Sequence, residues 1–199
     1  MEKRTQHGFT LYELLITVLV MGVVLTLGVP NLLQFSQNSR MTSSANDLHS
    51  AFHLARSESS RAKTNITVCA SNNALAADSN CGGTWEDGFI VFVDTDGNIS
   101  RTGAETVLRA SGPVSDDITF AVANDATHFS YASTGLGRTI VGNPSVTQIV
   151  MCDKRGTGTA AGGRSAARLF VATPLGRATI FRDTALVNAA LTGMSKSCP

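Results

Sequence analysis

The beginning of the chain changes abruptly from polar to apolar. Residues 1–8 are polar, whereas residues 9–33 are almost entirely apolar. No charged residue occurs between Leu14 and Leu33. About 20 helical residues at about 1.5 Å each cover a hydrocarbon core about 30 Å thick. We therefore predict a membrane-spanning helix over about residues 9–33, in which Pro30 should kink or loosen the backbone.

The next segment has one apolar face at helical spacing, and its members are mostly small. They are Met41, Ala45, Leu48, Phe52, Ala55, Ser59 and Ala62. Alternating steps of three and four residues place them on one side of a helix. We therefore predict one long helix over residues 9–63 whose second half packs on a head domain formed by residues 64–199.

Short apolar runs, several with alternating polarity and separated by Gly, Pro, Asn and Asp, follow along the rest of the chain. They predict strands near residues 66–69, 88–93, 106–110, 118–122, 128–131, 138–141, 147–152, 168–173 and 177–182. No long amphipathic helix is visible among them. The predicted fold class is therefore α+β, with the long N-terminal helix packed on a mostly antiparallel β head, arranged as two small sheets.

The order of Gly8, the apolar segment and Glu13 argues against an ordinary signal peptide. A signal peptide is cleaved after its apolar region, but a cut after Gly8 would keep that region in the mature chain. Glu13 is the one charged residue within the predicted span. An acidic group there is either close enough to the headgroups for water to reach it or paired with a positive group, such as a free amine of Phe9.

The run Gly8-Phe9-Thr10-Leu11-Tyr12-Glu13-Leu14 resembles the leader and methylation motif of type IV pilins and type II secretion pseudopilins. The resemblance implies that residues 1–8 are a leader and that a prepilin peptidase cleaves after Gly8 and methylates Phe9. It also implies that Glu13 guides assembly with other major and minor pilins. The expected location is the inner membrane, crossed once with a periplasmic head, and after assembly the pilus on the cell surface.

Several pieces of the head resemble minor pilins of the FimT/FimU type and the related pseudopilin H. They are Trp85-Glu86-Asp87-Gly88-Phe89-Ile90-Val91-Phe92, Asp94-x-Asp96-Gly97-Asn98, Val107-Leu108-Arg109, Gly135-Leu136-Gly137-Arg138, Cys152-Asp153-Lys154-Arg155-Gly156 and Gly176-Arg177. The function that this implies is a minor pilin at the pilus tip or in the complex that primes assembly. A pseudopilin H-like component of type II secretion is the alternative.

The four cysteines have no C-x-x-C spacing, which argues against a zinc site. An exported head favours disulfides. Four cysteines allow three pairings. We favour Cys69 with Cys81, which closes a local loop, and Cys152 with Cys198, which ties the tail to the last sheet.

Charge is distributed unevenly along the head. Residues 64–136 contain nine acidic and two basic side chains, whereas residues 137–199 contain two acidic and eight basic ones. A clustered basic face can bind nucleic-acid phosphates. The candidates for contact with double-stranded DNA during natural transformation are Arg138, Lys154, Arg155, Arg164, Arg168, Arg177 and Arg182.

Some pilins of the FimT type bind DNA through a C-terminal Gly-Arg-x-Arg motif. The matching stretch here is Gly176-Arg177-Ala178-Thr179, in which Thr179 replaces the second arginine. The alternative to DNA binding is that the basic residues pair with the acidic half of the head or with neighbouring pilins.

The remaining polar patterns fit structural roles better than chemical ones. The run from Asp94 to Asn98 lacks the spacing and the distal Glu of an EF-hand and suits a hairpin turn. His49 and His53 stand at helical spacing without a recognisable third ligand. No serine lies in a nucleophile elbow. We therefore expect a structural protein rather than an enzyme, with no catalytic residue, cofactor or metal.

Overall fold

The computed structural model describes residues 8–160 and 162–199. The predicted leader therefore lies, except for Gly8, outside the described residues. The chain forms two compact units, and the boundary between them falls between Ser39 and Arg40. This boundary falls inside the first helix, just before Met41, where the buried residues of the helix begin.

Helix α1 extends over Leu11–Ala62 and continues through Pro30. Asn31 Nδ2 donates to Leu27 O at 2.9 Å in the turn that contains the proline. Within the second unit the predicted apolar face is buried from Met41 to Ser59, and Ala51 joins it. Ala62, which the spacing placed on the same face, is exposed at the end of the helix.

The remaining elements form two antiparallel sheets and a short second helix. They are β1 (Ile66–Ala70), β2 (Phe89–Val93), β3 (Val107–Ser111), β4 (Thr119–Val122), a 3-10 turn (Ala123–Asp125), β5 (His128–Tyr131), β6 (Gly137–Arg138), β7 (Gln148–Cys152), β8 (Arg168–Ala172), β9 (Ala178–Phe181) and α2 (Thr184–Met194). The strand orders are β3-β2-β1-β5-β6 and β4-β7-β8-β9. The predicted fold class, a long helix packed on antiparallel sheets, is confirmed.

Both sheets contribute to one core around the helix. Phe52 is fully buried, and its ring centroid lies 5.4 Å from that of Phe129 in β5 and 4.7 Å from that of Phe170 in β8. Trp85 and Tyr131 complete the ring cluster, each with its centroid 6.4 Å from that of Phe52. Since β5 and β8 belong to different sheets, a single helical side chain connects both sheets to the helix.

Two elements differ from the sequence prediction. Strand β6 ends at Arg138 instead of continuing to residue 141, because the backbone reverses between Ile140 and Asn143 and leaves Val141 exposed. Helix α2 was not predicted. Asp183 caps it by accepting hydrogen bonds from two backbone amides of its first turn, and Val187 lies on its buried face.

The structure contains two disulfide bonds. Cys69 in β1 is joined to Cys81, and Cys152 at the end of β7 is joined to Cys198, each with a Cα–Cα distance of 5.6 Å. These are the two pairings that the sequence analysis favours. The first bond holds the segment after β1 against its own sheet, and the second attaches the tail after α2 to the other sheet.

Replacing Phe52 with Ala should destabilise the head by about 3–5 kcal/mol, because it removes the ring that contacts both sheets and leaves a cavity. Urea unfolding of the full chain in detergent, followed by the fluorescence of Trp85, measures this loss. Leu175→Ala is the control, because Leu175 is 70% exposed and its truncation should change stability by no more than about 0.5 kcal/mol. Equal midpoints for the two variants would contradict the proposed central role of Phe52.

Candidate functional site

The start of α1 is capped by its own side chains. Thr10 donates to Glu13 Oε2 from both its backbone amide and its hydroxyl, each at 2.9 Å, and Glu13 N donates to Thr10 Oγ1 at 3.2 Å. This reciprocal arrangement is a capping box, which satisfies amide groups that the first turn of a helix leaves unpaired. The sequence signature that predicts such a cap is Thr-x-x-Glu at residues 10–13.

The helix that begins at this cap includes one apolar stretch long enough to cross a membrane, and it is the one such stretch within the described residues. Its large side chains are exposed, for example Leu19 at 67% and Leu32 at 68%. So long an exposed apolar surface is rare on a soluble monomer and marks a surface that another apolar phase or partner covers.

The seven basic residues of the predicted DNA-binding face do not share one environment. Lys154, Arg164 and Arg177 are exposed and form no salt bridge within the part of the chain that the structure describes. Lys154 and Arg164 lie between β7 and β8, whereas Arg177 lies in the turn after β8. The exposed charges therefore lie at the two ends of β8 rather than in one cluster.

Two more of the predicted residues are engaged in ion pairs. Arg138 belongs to the five-stranded sheet, where its Nη1 lies 3.4 Å from Oδ2 of the buried Asp94 and its Nη2 donates to Gly97 O. Arg155 Nε donates to both carboxylate oxygens of Asp153 at 3.0 Å. Their charges are thus balanced within the head, and Arg138 lies on a different sheet from the rest.

Arg168 corrects the prediction of a single exposed basic face. It is 2% exposed, and its Nη1 donates to three successive backbone carbonyls, those of Ser165, Ala166 and Ala167. Burial, followed by the charges of neighbouring arginines, lowers the pKa of Arg168 to about 10. Even at that pKa the group stays charged at neutral pH, but its burial prevents it from contacting a phosphate at the surface.

Arg182 is half-buried at the end of the same sheet. Its backbone carbonyl accepts a hydrogen bond from Ser165 N at 2.9 Å, which places it beside the start of β8. Its Nε is buried and has no hydrogen-bond partner among the described residues. Arg182 therefore adds positive charge near Arg164 with a side chain that is only partly exposed.

The turn that carries Arg177 has a fixed geometry. Gly176 has φ +73°, and a Cβ at this position would lie 2.3 Å from Gly135 O. Thr173 Oγ1 accepts from Arg177 N at 3.2 Å, and Arg56 Nη2 donates to Leu175 O at 3.2 Å. The turn is thus held against α1, so the Arg177 side chain projects from a rigid base.

The helical histidines form a pair rather than two independent groups. His49 Nε2 lies 3.1 Å from His53 Nε2 and 3.3 Å from Ala178 O. If His49 Nε2 carries a hydrogen, the Ala178 carbonyl and His53 Nε2 can both accept it. This requires that His53 Nε2 carries no hydrogen. Partial desolvation lowers the pKa of His53, and the charges of His49 and Arg56 lower it further.

Comparison with known protein families gives two matches to the sequence. The model of the family described as type II transport protein GspH matches residues 44–174, more than half of the chain. The model described as prokaryotic N-terminal methylation motif matches residues 3–29, which include Gly8, Phe9 and Glu13. No curated protein matches the chain.

Among solved structures, the chain is similar to the type IV minor pilin FimU of Pseudomonas aeruginosa strain PAO1. In one crystal form the identity is 18% and the TM-score 0.52, over 74% of this chain and 92% of the pilin. In a second crystal form the identity is also 18% and the TM-score 0.47, over 70% and 91%. At this identity, the first match shows a shared fold.

The pKa of His53 predicts that acid weakens the head. Since the folded-state pKa lies below the ordinary value of 6.5, the unfolded chain binds more protons around and below that value. Stability should therefore be complete above about pH 7 and decline as the pH falls below 6.5. Burial also lowers the pKa of His128, which therefore contributes in the same direction. Melting temperatures of the full chain across this range measure the effect.

The variant His53→Gln should reduce the pH dependence without removing it, because His128 remains. The matched control is Ser57→Gln, one turn further along the exposed side of α1. A wild-type melting temperature that stays constant from about pH 7.5 to about pH 5.5 would contradict the prediction.

Proposed function

Because the chain belongs to the family of type II transport protein GspH and carries the prokaryotic N-terminal methylation motif, we propose that it is a minor pilin of a type IV pilus. Its place is at the pilus tip or in the complex that primes assembly. The observation that carries the proposal is the combination of a methylation motif, an exposed apolar helix and a disulfide-bonded β head in one chain.

We propose that the precursor spans the inner membrane once. Lys3 and Arg4 remain on the cytoplasmic side, as the positive-inside rule predicts. The head folds in the periplasm, where an oxidising environment supports both disulfide bonds. Prepilin peptidase then cleaves after Gly8 and methylates Phe9, so the apolar helix stays in the mature protein.

Glu13 is the assembly residue in this proposal. In the uncleaved chain its carboxylate accepts two hydrogen bonds from Thr10, but its negative charge is not neutralised by an ion pair within the described residues. Cleavage creates an amine at Phe9, next to the capped turn. In an apolar filament core, the pairing of such an amine with Glu13 of a neighbouring subunit compensates two charges that are costly alone.

A pseudopilin H-like role in type II secretion is the second candidate function, favoured by the description of the matching family. Both roles use the same leader, helix and head. They differ in which cellular process is lost without the protein, so one genetic background can test both.

The variant Glu13→Gln should be processed but excluded from surface pili. Glutamine can still accept from Thr10 N, so the capping box persists while the charge is lost. The assay complements a deletion strain and scores surface pili, protein secretion and membrane levels of the protein together. Wild type should restore pili, whereas Glu13→Gln should reduce them at least about tenfold, as expected for an uncompensated charge.

Thr10→Val is the matched control, because it removes both hydrogen bonds of the Thr10 hydroxyl and keeps the carboxylate. It should restore pili to near the wild-type level. Normal piliation by Glu13→Gln would refute the role of the charge. Restoration of secretion rather than piliation by wild type would assign the chain to the pseudopilin class.

We also propose that the head contacts double-stranded DNA through its exposed basic residues. Lys154, Arg164 and Arg177 support this, because each is exposed and none has a carboxylate partner in the described chain. Contacts of this kind neutralise phosphates without reading sequence, so binding should weaken as salt rises. Arg168 has no part in the proposal because it is buried.

The double variant Arg164→Gln, Arg177→Gln should weaken DNA binding at least about tenfold at low salt, and the slope of log affinity against log salt should fall by about 1–2. Fluorescence anisotropy with labelled duplex and the full chain in detergent measures both. Arg61→Gln, which removes an exposed arginine from the end of α1, is the control. Absence of binding at low salt, or equal loss in the control, would refute this function.

A further inference from the structure

Three carboxylates converge in the loop of residues 94–106, which connects β2 and β3. Asp94, Asp96 and Glu105 each offer an oxygen, and the three oxygens lie within 4.8 Å of one another. Calcium binds oxygen at about 2.3–2.6 Å, so two ligands on opposite sides of the ion are about 4.8 Å apart. The three oxygens therefore fit within the coordination shell of one ion.

One buried carboxylate oxygen of Asp94 has no hydrogen-bond partner among the described residues. Its side chain is fully buried, and its Oδ2 accepts from Thr67 Oγ1 at 2.8 Å, from Ile99 N at 3.3 Å and from Arg138 Nη1 at 3.4 Å. Its Oδ1 is also buried but has no hydrogen-bond partner among the described residues. Since buried carboxylate oxygens are normally satisfied, the unpartnered Oδ1 is available to a ligand.

The other two carboxylates are oriented by nearby N–H groups. Glu105 is 7% exposed, and it accepts from Thr95 N at 2.8 Å and from Thr102 N at 2.9 Å. Asp96 accepts from the backbone and side-chain nitrogens of Asn98 at 3.1 and 2.8 Å. A carboxylate has about four acceptor positions, so both retain lone pairs for a cation.

The charge of the cluster is not balanced within the described chain. Arg138 is the one basic side chain there that forms a salt bridge with any of the three carboxylates, and it does so through Asp94 Oδ2. Arg101 is close but donates to the backbone oxygens of Glu105 and Ser79. Three carboxylates against the two nearby guanidiniums leave one negative charge in excess, which a bound divalent cation would offset.

We propose that this loop binds a calcium ion through Asp94 Oδ1, Asp96 and Glu105, with water completing the shell. The donors are all oxygens, which suit a hard cation and not zinc or copper. Asp94 directly follows β2, and Glu105 comes just before β3, so the ion would fasten both ends of the loop. The proposal is independent of the pilus and DNA roles, and it replaces our expectation of a turn without a metal.

Calcium should stabilise the full chain and bind at one site. After treatment with EDTA and its removal, about 5 mM CaCl₂ should raise the melting temperature in detergent by at least about 3 °C. Isothermal titration calorimetry should give a dissociation constant at or below about 1 mM, the range of extracellular calcium modules. Magnesium at tenfold excess should not displace calcium, because it demands a compact octahedral shell.

The decisive variant is Asp96→Asn, because Asp96 is exposed and its loss should not prevent folding. It should bind calcium at least about tenfold more weakly, since affinity follows the number of charged ligands. Asp116→Asn, the same change at an exposed acid outside the loop, should bind as wild type does. No calcium-dependent shift or heat in wild type, equal binding by both variants, or displacement by magnesium would overturn the proposal.

Discussion

The packing of one helical face against two sheets is the interaction on which the head depends. The helix brings small residues, Ala45, Ala51 and Ala55, close to the strands, and it places Phe52 where rings from both sheets meet. Without this face the two sheets would each expose an apolar surface to water. The hydrophobic effect therefore joins three separate layers into a single core.

The same helix has the opposite character before the boundary at Ser39 and Arg40. There its apolar side chains are exposed, and no polar face alternates with them. Such a surface is stable only in lipid or against other apolar helices. This contrast is the physical basis of our proposal that the protein is stored in a membrane and later assembles, with Glu13 as the charge that controls the transfer.

Local patterns in the sequence predicted most of the fold. Alternation in runs such as residues 66–69, and turn residues between the runs, located nearly all strands, since these signals are set by neighbours in the chain. Helix α2 was missed, although its alanines and leucines favour a helix, because it has only 11 residues and is too short to give a long amphipathic pattern. The early end of β6 precedes a backbone reversal between Ile140 and Asn143; Gly142 and Asn143 signal that turn, but they do not specify at which residue the preceding strand ends.

The candidate sites were less predictable because they depend on contacts between distant residues. The sequence identified Arg168 as basic. It did not indicate that the side chain is buried and donates to the carbonyls of the three residues just before β8. Likewise, Asp94 and Asp96 suggested a turn, and only folding brings Glu105 to them. By contrast, the motif around Gly8 could be recognised without any tertiary contact, because it is a contiguous run of residues.

The central claim is that proteolysis leaves the apolar helix at the very start of the mature protein. Mass spectrometry of the protein isolated from its native cells, with fragmentation of the N-terminal peptide, tests this most directly. Our account predicts a first residue of Phe9 that carries one methyl group on its amine. A mature chain that starts at Met1, or one that starts beyond Leu33, would contradict it.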